Sequence, residues 1–276
     1  AKRLTKLVAK SGSELFNLIE REGIICSAKK TGWLQPAHSS NAEESLYNKL
    51  SAVRETGVET TFLSCHDMQE ETGLPLLYGG LKVESGGLLN PLSYTQGLAF
   101  AAAKAGVEIF SFTPAQKIER RNKSWIVKTP NGVIQSSKLL FATNGMLNRK
   151  VMPKLKSCIV PVRVFQFATQ VLPKSLQSVI LPSGAPISDT RRHTFCLRWT
   201  PDGRLLTGGM AALVPGRINV AKTSFKKRIT SLVPGLPSIK FEFVWSGVIA
   251  GTPNFLPRLI KLGPNFYGSI GCNGRG

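Results

Sequence analysis

Acidic residues are scarce in this chain: 16 Asp and Glu stand against 36 Lys and Arg, a formal charge of +20 over 276 residues. Such an excess favours anionic partners, whether nucleotides, phosphates or acidic surfaces, and predicts non-specific adhesion to nucleic acid at low salt. Histidine is scarcer still, with only His38, His66 and His193, far apart and among ordinary loop residues. No His-Glu-x-x-His, Gly-x-Ser-x-Gly elbow or Walker loop occurs, so the common metallohydrolase, serine-hydrolase and nucleotide-hydrolase patterns are excluded. The five cysteines (Cys26, Cys65, Cys158, Cys196, Cys272) form no C-x-x-C pair and are odd in number, which removes a zinc ligand set by spacing and predicts a reducing, cytoplasmic setting. No apolar run approaches the roughly 18 to 20 residues of an integral membrane span, and no apolar block follows Ala1-Lys2-Arg3 as in a secretion signal.

What is present is apolar material for one or two packed domains: 42% hydrophobic residues with only 19% charged, which excludes intrinsic disorder. Leu4, Leu7, Val8, Leu15, Leu18 and Ile19 carry a helical period that stops at Gly23, so the chain opens inside a helix and the sequence predicts a preceding portion. A strand is predicted at Gly32–Leu34. A helix through Leu46, Leu50 and Val53 should follow, with Ser40 and Glu43 as its capping box. A short capped helical turn is predicted over Asp67–Thr72. Gly79-Gly80 and Gly86-Gly87 mark a bend, and Asn90-Pro91 starts an Ala-rich helix that ends at Gly106, with a strand opening at Val107–Ile109. The period then changes to two: Ser124–Thr129, the turn Pro130-Asn131-Gly132 and Val133-Ile134 read as a hairpin. Lys138–Thr143 reads as a strand buried on both faces. Strands are expected again at 160–171, 194–199, 204–207, 240–248 and 265–270, interrupted by one helix over about 220–232. The whole is an α/β chain of two interleaved parts.

Two segments could carry chemistry. The terminal Gly271-Cys272-Asn273-Gly274-Arg275-Gly276 follows a buried strand; its glycines would let backbone amides approach an electron-rich ligand without Cβ interference. A plain strand-to-helix turn with Cys272 as a small packing residue is the competing reading. Ala142-Thr143-Asn144-Gly145 ends another buried strand, where ligands lie in open α/β sheets, although an ordinary Asn-Gly turn has the same appearance. The dinucleotide fingerprint G-x-G-x-x-G does not occur. Basic groups at Lys29-Lys30, Arg120-Arg121, Arg191-Arg192 and Lys226-Lys227-Arg228 are scattered rather than gathered into a stripe with aromatics.

The order of these segments resembles the FAD-dependent amine and D-amino-acid oxidoreductase family, the group of glycine oxidase, D-amino-acid dehydrogenase and gamma-glutamylputrescine oxidoreductase. The resemblance spans nearly the whole chain. It rests on Gly87-Leu88-Leu89-Asn90-Pro91 with the Ala-rich helix, Gly106–Ala115, Trp125–Thr129, Leu139–Gly145, Val160-Pro161-Val162-Arg163, Asp202–Gly209, Trp245-x-Gly247 and the closing glycine turn.

The resemblance implies an incomplete FAD-binding Rossmann-like domain (1–30, 87–157 and 251–276) interleaved with an α+β substrate domain on a mixed or antiparallel sheet (31–86 and 158–250). It implies FAD as cofactor, with Ala115 near the adenine, Ala142 and Thr143 along the ribose and pyrophosphate, and Gly271, Cys272, Asn273, Gly274, Arg275 and Gly276 facing the flavin ring. The implied reaction is oxidation of a C–N bond in a small amine or amino acid by hydride transfer to flavin N5, with oxygen or a respiratory chain as electron acceptor. Two departures stand out. The family's N-terminal glycine fingerprint would precede Ala1, so the chain reads as an internal fragment. The arginine that amino-acid-oxidising relatives carry after Trp-x-Gly is also absent from Trp245-Ser246-Gly247-Val248-Ile249-Ala250. Either the substrate lacks that carboxylate or another cation holds it, with Arg198 the candidate. The alternative function is a cofactor-less degenerate copy or a basic nucleic-acid or anion-binding module.

Overall fold

The structure is a computed structural model that describes residues 2–148, 150–210, 218–233 and 239–274. The chain divides into two compact units, Ala1–Val107 with Phe165–Trp245 and Glu108–Val164 with Ser246–Gly276. These units follow packing, and their boundaries differ from the blocks that composition suggests.

The first unit opens with α1 (Lys2–Arg21), whose apolar face buries Phe16 and Ile19 and whose exit is Gly23 at φ +61°. Next come β1 (Trp33–Pro36), α2 (Ser40–Arg54), β2 (Thr60–Leu63), α3 (Cys65–Thr72), β3 (Gly80–Val83) and α4 (Pro91–Lys104). Side chains set these helix starts. Asn90 Oδ1 accepts from the amides of Leu92 and Ser93 at 3.0 and 3.2 Å, and Pro91 occupies the first helical position. For α2 the cap is Ser39, extended at φ −158°, rather than the expected Ser40; Glu43 is drawn away because its Oε1 accepts from Gly79 N–H at 2.7 Å. The expected bend at Gly79–Gly87 contains a strand. Gly80 is there because a Cβ would overlap Gln35 O on the neighbouring β1.

The second unit begins with the antiparallel meander β4 (Lys117–Arg121), β5 (Ser124–Thr129) and β6 (Gly132–Ser136), then β7 (Leu139–Phe141), a 3₁₀ turn over Asn144–Met146 and α5 (Pro153–Lys156). β8 (Val160–Thr169) carries the chain back to the first unit, where α6 (Lys174–Gln177), β9 (Ile187–Ser188), β10 (Cys196–Trp199), β11 (Leu205–Met210) and α7 (Ile218–Leu232) lie. β12 (Phe241–Gly251) returns it to the second unit for β13 (Arg258–Gly263) and β14 (Phe266–Ile270).

The large sheet has the order β12-β8-β11-β10-β9-β1-β3-β2 and is mixed, because β9 joins β1 in parallel while β1/β3, β2/β3, β9/β10 and β10/β11 are antiparallel. Its core holds Leu34, Phe167, Phe195, Leu197, Leu205 and Phe241, with Phe225 and Ile229 from α7. The Phe167 ring lies 5.2 Å from that of Phe241 and 5.3 Å from that of Phe225. In the second unit β14 pairs antiparallel with β13 and parallel with β7, Phe266 opposite Leu139 and Gly268 opposite Phe141. Trp125, Phe141, Leu155, Phe266 and Ile270 form its core; Trp125 donates from Nε1 to Pro264 O at 2.9 Å.

Two strand expectations are corrected. Val107–Ile109 forms no strand, since a strand persists only in a ladder and no described strand lies beside it; its apolar side chains are exposed. β7 is three residues long and is not buried on both faces: Phe141 is buried but Leu140 is 65% exposed.

Candidate functional site

The ends of β7 and β14 point the same way because the two strands are parallel. Each therefore delivers its following turn to the same edge of the small sheet. After β7 come Ala142 and Thr143, both exposed, then Asn144 at φ +43°. After β14 come Gly271 at φ +77°, Cys272, Asn273 at φ +54° and Gly274 at φ +70°. Three left-handed residues in four fold the chain into a tight corner, and glycine suits two of them because left-handed backbone costs other residues about 1–2 kcal/mol each.

Two asparagine side chains tie the corner down. Asn144 Oδ1 accepts from Gly271 N–H at 3.0 Å, and Asn144 Nδ2 donates to Cys272 Sγ at 2.9 Å. Asn273 Oδ1 accepts from Thr252 N–H at 2.7 Å and from Thr252 Oγ1 at 3.2 Å, while its Nδ2 donates to Gly271 O. Thr252 is buried and its hydroxyl also reaches Leu256 O, so the support is itself fixed. A Cβ on Gly271 would overlap Thr252 Cγ2, and one on Gly145, just beyond the strand tip, would meet Val248 O at 2.5 Å.

The corner's amides are divided in use. Gly271 N–H is held by Asn144 and Asn273 N–H by Ala250 O at 3.2 Å. Among the described residues the amides of Cys272 and Gly274 have no partner, which leaves two donors beside the exposed tip of β7. Uncommitted backbone amides carry partial positive charge, which suits an electron-rich oxygen or ring edge.

The structure thus brings Ala142 and Thr143 together with Gly271, Cys272, Asn273 and Gly274. Arg275 and Gly276 lie outside the described residues. Ala115 lies in the segment entering β4, and no hydrogen bond joins it to the corner among the described residues. Arg198 belongs to the first unit. There it is half-buried on β10, its Nη2 donating to Gln166 Oε1 at 3.2 Å and its Nη1 lying 3.8 Å from Cys196 Sγ. Gly208 makes room for Gln166, since a Cβ there would overlap the amide of that side chain. No carboxylate pairs with Arg198 among the described residues. Gln166 is not singled out by the sequence; Asn144 lies within the Ala142–Gly145 segment that is, but only Ala142 and Thr143 of it are named as site residues, the Asn-Gly pair having the appearance of an ordinary turn.

The scattered basic groups have other occupations. Asp189, buried, takes Arg191 and Arg228 together and also accepts from Phe195 N–H at 2.9 Å. Arg228 additionally stacks 4.4 Å over the Phe195 ring, and burial pulls its pKa down. Lys117, Arg121 and Lys128 surround Glu119. His38 contacts Thr190 Oγ1 at 2.7 Å and His66 lies near Glu70; both are exposed, as is His193.

The family model described as FAD dependent oxidoreductase, of the DAO type, matches residues 1–276. The chain belongs to that family. Among curated relatives it is 28% identical over 214 residues to the probable oxidoreductase OrdL of Haemophilus influenzae, covering 76% of this chain and 48% of the relative. It is 22% identical over 276 residues to gamma-glutamylputrescine oxidoreductase of Escherichia coli, covering all of this chain and 65% of that one. The chain thus spans about half to two-thirds of the length of these relatives. L-proline dehydrogenase from P. horikoshii has a TM-score of 0.83 at 20% identity, over 98% of this chain and 74% of its own. Glycine oxidase from Geobacillus kaustophilus has a TM-score of 0.77 at 18% identity, over 96% and 71%. The mixed α/β architecture is that of the DAO-type oxidoreductases. No helix among the described residues is long and apolar enough to cross a membrane.

Proposed function

We propose that this chain belongs to an FAD-dependent oxidoreductase that oxidises a C–N bond of an amine or amino acid, and that its glycine corner faces the flavin ring. The observation that carries this reading is the pair of uncommitted amides, Cys272 and Gly274, in a turn that Asn144 ties to the end of β7 through Gly271 N–H and Cys272 Sγ. A Cβ at Gly271 would overlap Thr252 Cγ2 and one at Gly274 would meet Ile249 Cδ1 at 2.7 Å, so the glycines let the corner pack tightly on Thr252 and Ile249 while the amides of Cys272 and Gly274 stay uncommitted. The chain holds no G-x-G-x-x-G turn for the pyrophosphate. Residues 1–30, 87–157 and 251–276 are assigned to the cofactor side and 31–86 and 158–250 to the substrate side, with Ala115 toward the adenine and Ala142 and Thr143 toward the ribose and pyrophosphate.

Bound FAD would supply the two-electron acceptor for oxidation of the C–N bond, with oxygen or a respiratory acceptor as the final oxidant. The chain's own part is electrostatic and geometric. The Cys272 and Gly274 amides donate toward the edge that gathers negative charge, with no reorganisation at the moment of reaction. Arg198, held in place by Gln166, receives a substrate carboxylate in a forked pair.

The test has two parts. Titrating FAD into the purified, catalytically competent protein should quench flavin fluorescence saturably; absence of any quenching rejects the flavin reading. In the catalytically competent protein, Arg198→Met should raise KM about 10–100-fold for a substrate with a carboxylate, the loss of a charged hydrogen-bonded pair of about 1.5–3 kcal/mol, while an amine without one is unaffected. Equal effects on both substrates would remove Arg198 from the site.

A further inference from the structure

We propose that Asn144 is a positioning residue that sets the flavin-facing geometry of the corner, joining the strand tip to the glycine turn through both ends of one amide. This rests on the reading of the corner as flavin-facing, and deepens it by naming what holds the two uncommitted amides in place.

The geometry is economical. Asn144 stands at φ +43°, a conformation asparagine tolerates better than other side-chain-bearing residues, immediately after the two exposed residues that end β7. Its Oδ1 occupies the buried Gly271 N–H, and its Nδ2 reaches the adjacent Cys272 Sγ. The acceptor end therefore removes Gly271 from the set of amides available to a ligand, while the donor end holds the next residue so that the amides of Cys272 and Gly274 remain outside the network. Asn273 provides the opposite brace, through Thr252 and Gly271 O. It cannot replace Asn144, because Thr252 and Gly271 belong to the β12–β14 side of the corner and only Asn144 belongs to the β7 side. An amide side chain is required for both jobs at once: aspartate supplies the acceptor alone, serine lacks the reach for two partners, and glycine keeps the backbone conformation with neither bond.

Asn144→Gly consequently separates backbone from side chain, since glycine adopts φ +43° freely. Two readouts apply to the chain as it exists. With glycine-selective ¹⁵N labelling, the Gly271 amide should exchange at least ten-fold faster in N144G than in the wild type, and N144D, which retains the acceptor, should restore most of the protection. In fluorescence titration with FAD, N144G should raise Kd about ten-fold, the cost of losing the hydrogen bonds that pre-organise the corner. A general loosening of the fold would instead speed exchange at many glycines, including Gly263 beside Trp125, and would not be rescued by N144D. Unchanged Gly271 exchange in N144G overturns the proposal, as does failure of N144D to restore it. Faster exchange with an unaltered Kd for FAD overturns the positioning role and the flavin-facing reading together. If the wild type itself binds no FAD, the proposed function fails and the positioning role with it, while the exchange data separately decide whether Asn144 clamps the corner.

Discussion

Gly271→Ala is the sharpest single probe of how the corner is built. Two costs act at this position. A Cβ at φ +77° incurs about 1–2 kcal/mol of left-handed backbone strain. It would also overlap Thr252 Cγ2, and Thr252 cannot step aside because it is buried and bonded through its amide to Asn273 and through its hydroxyl to Leu256 O and Asn273. Overpacking against such a fixed neighbour costs a further ~1–3 kcal/mol. Reduced freedom of the unfolded chain returns about 0.4–1 kcal/mol, leaving a net destabilisation of about 1–4.5 kcal/mol. Gly274→Ala is the internal control. Its φ is also positive, at +70°, but its Cβ meets only the tip of Ile249, a side chain that can rotate, so about 1 kcal/mol or less is expected. Urea unfolding followed by tryptophan fluorescence, which Trp125 in the same unit reports, measures both variants at unchanged m-value. Equal stability of the two variants, or a G271A within 0.5 kcal/mol of wild type, would refute the picture of a corner braced on Thr252.

The remaining expectations concern charge. Asp189→Asn should destabilise the first unit by about 3–5 kcal/mol, because Arg191 and the partly buried Arg228 lose their common carboxylate. The double variant with Arg228→Met should recover part of that loss in the same unfolding assay, and no recovery would show that the pair is not coupled. Hydrogen bonding from Lys117, followed by that from Arg121, holds Glu119 at about 2 instead of its ordinary 4.5. A depressed carboxylate stabilises the fold fully above pH 4.5 and loses that contribution as the pH falls through about 2. Acid titration of wild type against Glu119→Gln should therefore show a stability difference that is constant at neutral pH and fades over that window; a difference independent of pH contradicts the assignment.

Much of the architecture is legible from local chemistry. Asn90-Pro91 announces α4 because cap and first-turn proline act within four residues, and the Pro130-Asn131-Gly132 turn announces β5 and β6 for the same reason. The misses are non-local. Val107–Ile109 has the composition of a strand but no ladder partner among the described residues, and composition carries no information about partners. Gly80 reads as a breaker, yet it serves a close approach to Gln35, a residue 45 positions away in sequence. β9, of two residues, is too short for any period to register. The same division holds at the candidate site. The glycine turn and the strand tip can each be read from sequence, because backbone conformation selects their residues. Their adjacency, the parallel pairing of β7 with β14, and the Asn144 clamp become visible only when residues more than 120 positions apart are brought together.

The central claim is that a flavin lies against the amides of Cys272 and Gly274 at the tip of β7. Backbone amide shifts recorded while FAD is titrated into the ¹⁵N-labelled protein test it most directly. The account predicts that Cys272, Gly274, Ala142 and Thr143 move together with one saturation curve, while the lysines of α7 stay still. Shifts confined to α7 and other basic surface, fading as salt is raised, would contradict it and leave only the attraction of a polyanion to a chain of charge +20.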